Sequence, residues 1–194
     1  MGAVPGVDRG DLDEVLDAVS VGTLSTVIDG WPWSVPMLFA RDGDDILFHG
    51  SSGAGALRHV AAGARVTFTV FTLDAVVVAP TLFDHSANYR SAVIRGVAER
   101  VHDSDWALNI LSDKLIPGRV AETPPNMRKE LAATTMLRLP IAEGSWIAKA
   151  RRGGPGVESS EWTGIIPVHT VYGEPVTYTG DQIPESVRRL ADSG

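Results

Sequence analysis

His85-Ser86-Ala87-Asn88-Tyr89-Arg90-Ser91-Ala92-Val93-Ile94-Arg95-Gly96-Val97-Ala98-Glu99 is a polar knot that runs without a break into a strand-like segment. With a period of two, Tyr89, Ser91, Val93, Arg95 and Val97 share one face, and Arg90, Ala92, Ile94, Gly96 and Ala98 share the other. Arg90 therefore falls on the face of small and apolar residues, where an arginine is rarely buried without a partner. Two readings follow. One is a salt bridge across the interior of a curled sheet, and the other is a polar contact to a ligand at the strand entrance.

Outward from this segment the chain is a series of short strands. Gly22 to Ile28 and Trp31 to Ala40 flank Asp29-Gly30, a pair suited to a two-residue hairpin turn with positive φ. Arg41-Asp42-Gly43-Asp44 is a second tight turn, leading to a strand over Asp45 to His49. Arg65 to Thr72 and Ala75 to Thr81 read as two strands separated by Leu73-Asp74, and Tyr89 to Val101 as the next. Thr134 to Leu139 and Gly144 to Ala150 resume the strand pattern, with an edge element over Trp162 to Val168. Helices are sparse. Leu12, Val15, Leu16 and Val19 have helical spacing within Asp11 to Val19, a short helix fits Ala56 to Ala62, and Asp103 to Ile116 opens on acids and stops at Pro117-Gly118. A further short helix fits Asn126 to Ala133. Many antiparallel strands with peripheral helices predict a mainly β fold closed into a small barrel, which removes exposed sheet edges.

Composition narrows the function. The chain has 194 residues, 44% of them hydrophobic, enough for one sizeable core and a single domain over 1–194, with 1–10 and about 184–194 as candidates for flexibility. A net charge of −7 is unsuited to a general nucleic-acid surface, which needs clustered basic residues; small molecules are the expected partners. Lys149, Arg151 and Arg152 do cluster, in a Gly/Pro-rich stretch that reads either as a solvated loop or as a local anion site. There is no cysteine, so disulfides, thiolate catalysis and iron–sulfur ligation are excluded. No run approaches the ~18 apolar residues of a membrane span, and Met1 to Gly10 lacks the basic start and apolar core of a signal peptide. The expectation is a soluble cytoplasmic protein with no membrane partner.

The candidate chemistry is weak when taken residue by residue. His49 ends a strand just before Gly50-Ser51-Ser52-Gly53-Ala54-Gly55, so its imidazole can reach whatever that turn binds, or be structural. The turn offers hydroxyls and free amides before a helix, but neither the Gly-Lys-Ser/Thr of a nucleotide loop nor a dinucleotide fingerprint. His49, His59, His85, His102 and His169 show no metal-binding helical pair, and no metal site is expected. Ser86 and Ser91 near His85 lack a nucleophile elbow. The five tryptophans, Trp31, Trp33 and Trp162 among them, serve core packing or stacking on a planar group.

Taken in order, the motifs resemble the FMN-binding split barrel of the pyridoxamine 5'-phosphate oxidase-like superfamily, in its branch related to nitroimidazole-resistance proteins. The carrying residues are Gly22-Thr23-Leu24-Ser25-Thr26 leading to Val35-Pro36, Leu47-Phe48-His49-Gly50, Ala64-Arg65-Val66 and, most specifically, His85 to Ser91. Pro117-Gly118-Arg119, Glu130 to Thr134, Ala148-Lys149-Ala150-Arg151 and Trp162 to Pro167 follow in the same order.

The resemblance implies a homodimer with flavin at the subunit interface, and an oxidoreductase acting on a small organic substrate. It implies FMN as cofactor, with F420 or haem as alternatives, and a non-catalytic flavin, F420 or haem carrier as the alternative function. Val35, Pro36, Met37 and Leu38 would lie along the ring system, while His49, Gly50, Ser51 and Ser52 would approach the ring edge and ribityl phosphate. Asn88, Tyr89, Arg90 and Ser91 match the strand entrance that contacts flavin in the family, and Trp162 a late aromatic position. His49 is the candidate substrate-side group. Many relatives carry a basic pair at the start of the short helix to clamp the phosphate; here those positions are Gly55 and Ala56, so Arg58, Lys149 or Arg151 would have to substitute. Val187-Arg188-Arg189-Leu190 does not reproduce the substrate-phosphate signature of true pyridoxamine phosphate oxidation, and that reaction is not expected.

Overall fold

A computed structural model describes residues 8–193. Its elements are α1 (Arg9–Ala18), β1 (Val21–Ile28), β2 (Trp31–Asp42), β3 (Asp45–Ser51), α2 (Gly55–Ala61), β4 (Arg65–Val78), β5 (Ser86–Val97), β6 (Glu99–Arg100), α3 (Ser104–Leu115), α4 (Arg128–Ala133), β7 (Thr134–Pro140), β8 (Trp146–Arg151), β9 (Gly164–Pro167) and α5 (Glu185–Ala191). The strands form one sheet in the order β6-β7-β3-β2-β1-β4-β5-β8, with β9 added to the distal part of β4. Every pairing is antiparallel.

The sheet curls on itself. A Cβ on Gly96 of β5 would come within 2.9 Å of Leu139 on β7, although the two strands lie far apart in the strand order. This is the half-barrel curl of the split-barrel fold. The interior is filled by Leu24, Phe39, Phe48, Val66, Phe68, Ile94 and Leu137. Leu12, Val15 and Leu16 of α1 are fully buried and plug one end. A smaller cluster of Ala107 and Leu111 from α3 against Ala40, Leu47 and Met136 covers the other side of β2, β3 and β7. Gly22 is required for closeness, because a Cβ there would stand 2.3 Å from the Phe68 ring.

Local chemistry explains most boundaries. Asp8 caps α1 by accepting from the Asp11 amide, and Asp103 caps α3 by accepting from Trp106. Asp29 and Gly30 take φ of 52° and 80°, so the β1–β2 hairpin has the two left-handed residues that its twist demands.

Three expectations change. Leu73-Asp74 is a bulge within one long strand and not a turn between two: the β4–β5 register shifts between Leu73 and Ala75 and then continues. Asp74 does not need water there, since its carboxylate accepts from Arg90 and its carbonyl from the Val168 amide at 3.0 Å. The strand expected over Tyr89 to Val101 divides at buried Ala98, where the chain leaves β4 and β8 and pairs with β7. Beyond residue 184 the chain forms α5, tied back by Ser186, whose amide and hydroxyl donate to Glu122 at 2.9 and 2.6 Å. At the other end, residues 1–7 lie outside the described residues, and Arg9 and Gly10 open α1.

Candidate functional site

The outer face of the β3–β2–β1–β4–β5–β8 sheet carries the cleft. Its register aligns residues from distant sequence. Thr23 pairs with Pro36 on one side and Thr69 on the other, Phe71 stands across from Ser91, and Ser91 across from Lys149. A cavity of about 550 Å³ opens over the Thr23, Pro36, Thr69 and Phe71 part of this row, beside Ser91 and Lys149 but not lined by them; the lining residues are Val19 to Thr23, Pro36, Thr69 to Thr72, Thr170 and Tyr172. Its walls are hydroxyls and apolar groups. Thr170 and Tyr172 come from the segment after β9, whose pairing with Ala75–Val78 of β4 brings the chain back across the cleft mouth.

Period-two alternation sorts the sequence candidates. Pro36 and Leu38 share the outer face with Thr23 and Val21, whereas Val35 and Met37 turn inward and pack on the core cluster. His49 lies one residue beyond the Phe39–Phe48 pair and half-buried, and alternation places it on the outer face with Leu38. Pro36, Leu38, His49, Tyr89, Ser91 and Lys149 are therefore the candidates that the fold gathers on one surface.

Asn88 and Arg90 are instead engaged by local partners. Asn88 is buried, donates to the Gly153 carbonyl at 3.0 Å and accepts from Arg151 at 3.0 Å. Arg151 also donates to the Ala87 carbonyl. Tyr89 is partly exposed, opposite Arg151. Arg90 forms a salt bridge, with the bulge of the neighbouring strand and with α1 and not across the interior: it donates to Asp74 at 2.7 and 3.0 Å and to Glu14 of α1 at 2.9 Å. Hydrogen bonding to the Asp74 carboxylate holds the guanidinium charged more firmly than usual, against the opposing effect of burial.

Gly50 packs under Leu57, where a Cβ would stand 2.1 Å from its Cδ1. In the following turn Ser52 donates its amide to the Ala133 carbonyl, Gly53 to Ser51 Oγ and Ala54 to the Ser51 carbonyl. These amides are engaged within the protein. Arg58 is exposed on α2, and its guanidinium lies over Gly55. Trp162 is exposed, and its ring leans over Gly164 at the start of β9.

Burial lowers the pKa of His49 below 6.5, so the folded protein holds it neutral. The unfolded chain then binds more protons, and stability rises with pH in this range. The stabilisation is present above pH 6.5 and is lost as pH falls through the lowered folded value. Urea midpoints at pH 7.5 and 5.5 are expected to fall more for the wild type than for His49→Gln; equal falls would assign the acid sensitivity elsewhere.

The architecture is that of a split β-barrel, and the model of the pyridoxamine 5'-phosphate oxidase family matches residues 8–148. The chain belongs to that family. Among solved structures, the FAD and haem binding protein of Mycobacterium smegmatis is 39% identical, with a TM-score of 0.90 over 94% of this chain and 95% of that one. The flavocytochrome of Azotobacter vinelandii is 28% identical, with a TM-score of 0.82 over 94% and 90%. A putative 5-nitroimidazole antibiotic resistance protein of Bacteroides thetaiotaomicron shares the fold at 18% identity, with a TM-score of 0.59 over 69% and 79%. No curated protein matches the sequence significantly.

The sequence reading missed Thr23, Thr69, Phe71, Thr170 and Tyr172. The first two were legible only as ordinary β-formers until the β1–β4 register set them side by side.

Proposed function

We propose that two copies of this chain associate through the outer sheet face and hold a flavin nucleotide in the cleft bounded by Pro36, Phe71 and Tyr172, for redox chemistry on a small organic substrate. The observation that carries the reading is the cleft itself: about 550 Å³ is the size of a cofactor site, with apolar walls and a few hydroxyls to fix orientation. Of its lining residues only Tyr172 has a titratable side chain. The chain therefore supplies binding, orientation and exclusion of water, and a bound flavin supplies the hydride or electron transfer.

The hydroxyls of Thr23 and Thr69 suit the polyol chain of a flavin, and Ser91 and Lys149 suit the polar edge of its ring. Pairing of two copies is supported by the apolar surface left open around the cleft. Phe71 is 71% exposed, with Ile165, Ile166 and Val171 beside β4 also exposed.

The Mycobacterium smegmatis relative, described as binding FAD and haem, favours FAD beside the FMN of the sequence reading. It also supports a second reading, in which the protein carries flavin or haem without turnover. The test is titration of the purified chain with FMN, FAD and haem, with mass measured by light scattering, followed by addition of NADH or NADPH and an acceptor. Saturable flavin binding to a dimer with turnover supports the enzyme; tight binding without reduction supports the carrier. A folded monomer that binds none of the three overturns both.

A further inference from the structure

A second cavity, of about 560 Å³, opens on the same outer face, lined by Ser25, Thr67, Arg65, Arg95, Val97 and Ser145 among others. Arg95 stands across from Thr67, Thr67 across from Ser25, and Arg65 two residues back on β4 across from Val97. By alternation Arg65 and Arg95 share one face as diagonal neighbours, roughly 7 Å apart at their Cβ atoms.

Like Arg58, Arg100, Arg128, Arg151 and Arg189, they stand outside the ion pairs of the described residues, but of these seven only Arg65 and Arg95 line the cavity. Arg41, Arg90, Arg138 and Arg152 each lie within 4 Å of two carboxylates. Arg65 and Arg95 have neither a carboxylate within that distance nor a side-chain hydrogen bond among the described residues. In a chain of net charge −7, two adjacent guanidinium groups without an acid repel each other and leave ten N–H donors for an anion.

The distance to the first cleft is also informative. From the Phe71–Ser91 pair to the Thr67–Arg95 pair is four residues of strand, roughly 13 Å. Thr69 lies midway, with Thr23 across from it. That span is comparable to the reach from a flavin ring along its polyol chain to the phosphate.

We propose that Arg65 and Arg95, with Thr67 and Ser25, receive the phosphate end of the flavin nucleotide, in place of the basic pair that α2 lacks at Gly55 and Ala56. The assignment rests on the flavin reading above. It places the phosphate on the sheet, where donors are free, and not on the turn before α2, where the Ser52, Gly53 and Ala54 amides are already engaged.

The experiment is calorimetric titration of the wild-type chain and the Arg65→Gln/Arg95→Gln variant with riboflavin, FMN, FAD and inorganic pyrophosphate. Both positions are exposed, and circular dichroism checks the fold; Arg65→Lys/Arg95→Lys keeps the charge if the glutamines disturb it. The wild type is expected to prefer FMN over riboflavin by about 100-fold, about tenfold for each charge-assisted contact. The glutamine variant should lose most of that preference with riboflavin affinity unchanged, and should lose pyrophosphate binding. The lysine variant should keep part of both.

A variant that retains the full preference for FMN overturns the assignment. If pyrophosphate binds through the arginines while no flavin binds the wild type, the flavin reading fails and the flavin assignment falls with it, leaving a phosphoanion site. If flavins bind with no dependence on either arginine, the flavin reading stands and the phosphate assignment fails.

Discussion

Phe68→Ala is expected to lower the stability of the protein by about 3–5 kcal/mol, the range for removing a large buried aromatic side chain. Phe68 is fully buried on β4 and joins two faces of the interior. It meets Phe39 edge-on at 5.0 Å and 67°, and stacks near-parallel on Phe48 at 6.0 Å and 13°. The third side of the ring is the backbone of Gly22, close enough that no side chain fits between them. Truncation opens a cavity that β1 and β2 cannot collapse into, because their register is held by a continuous ladder from Val21–Leu38 to Ile28–Trp31. Measured by urea unfolding, the midpoint should fall sharply with little change in slope. Phe68→Leu should recover more than half of the loss; if Ala and Leu behave alike, the core requires the aromatic ring itself and not apolar volume alone.

Much of this core was legible beforehand, for a physical reason. Buried faces impose a period on sequence, and β5 shows it: Asn88, Ala92 and Ile94 are buried while Tyr89, Arg95 and Val97 are exposed, as alternation from the polar knot requires. The Asp29-Gly30 turn was equally readable, because few other residue pairs suit its backbone. Interactions closed by register rather than by local pattern were not readable. Asp74 looks like a turn residue in sequence, and only the β4–β5 pairing reveals a bulge that aims its carboxylate at Arg90, 16 residues away. Glu14 is 76 residues from Arg90 and looks like an ordinary first-turn acid of a surface helix. The cleft shows the same limit. Thr23, Thr69, Ser25 and Thr67 become a hydroxyl track only once β1 and β4 are paired, and Tyr172 belongs to a segment with no periodicity to read.

The salt bridge of Arg90 yields the second large effect. Its side chain is 19% exposed and joins the β4 bulge, through Asp74, to α1, through Glu14. Arg90→Met keeps much of the aliphatic volume but leaves Asp74, only 30% exposed, with its hydrogen-bond partner removed. An unpaired, largely desolvated carboxylate is costly, and partial solvent access reduces the cost below that of a fully buried pair; the expected loss is about 2–4 kcal/mol. Removing both charges tests the cause. Arg90→Met/Asp74→Leu should regain a substantial part of the loss, because no orphaned charge remains, whereas two independent effects would add. The double variant also separates the two readings of Arg90. If Arg90 acts through the bridge, flavin affinity measured on folded protein should be nearly unchanged in the double variant while stability responds. A loss of flavin affinity in that variant, with stability restored, would instead make Arg90 a direct ligand of the cofactor and move the binding surface from the outer face to the strand entrance.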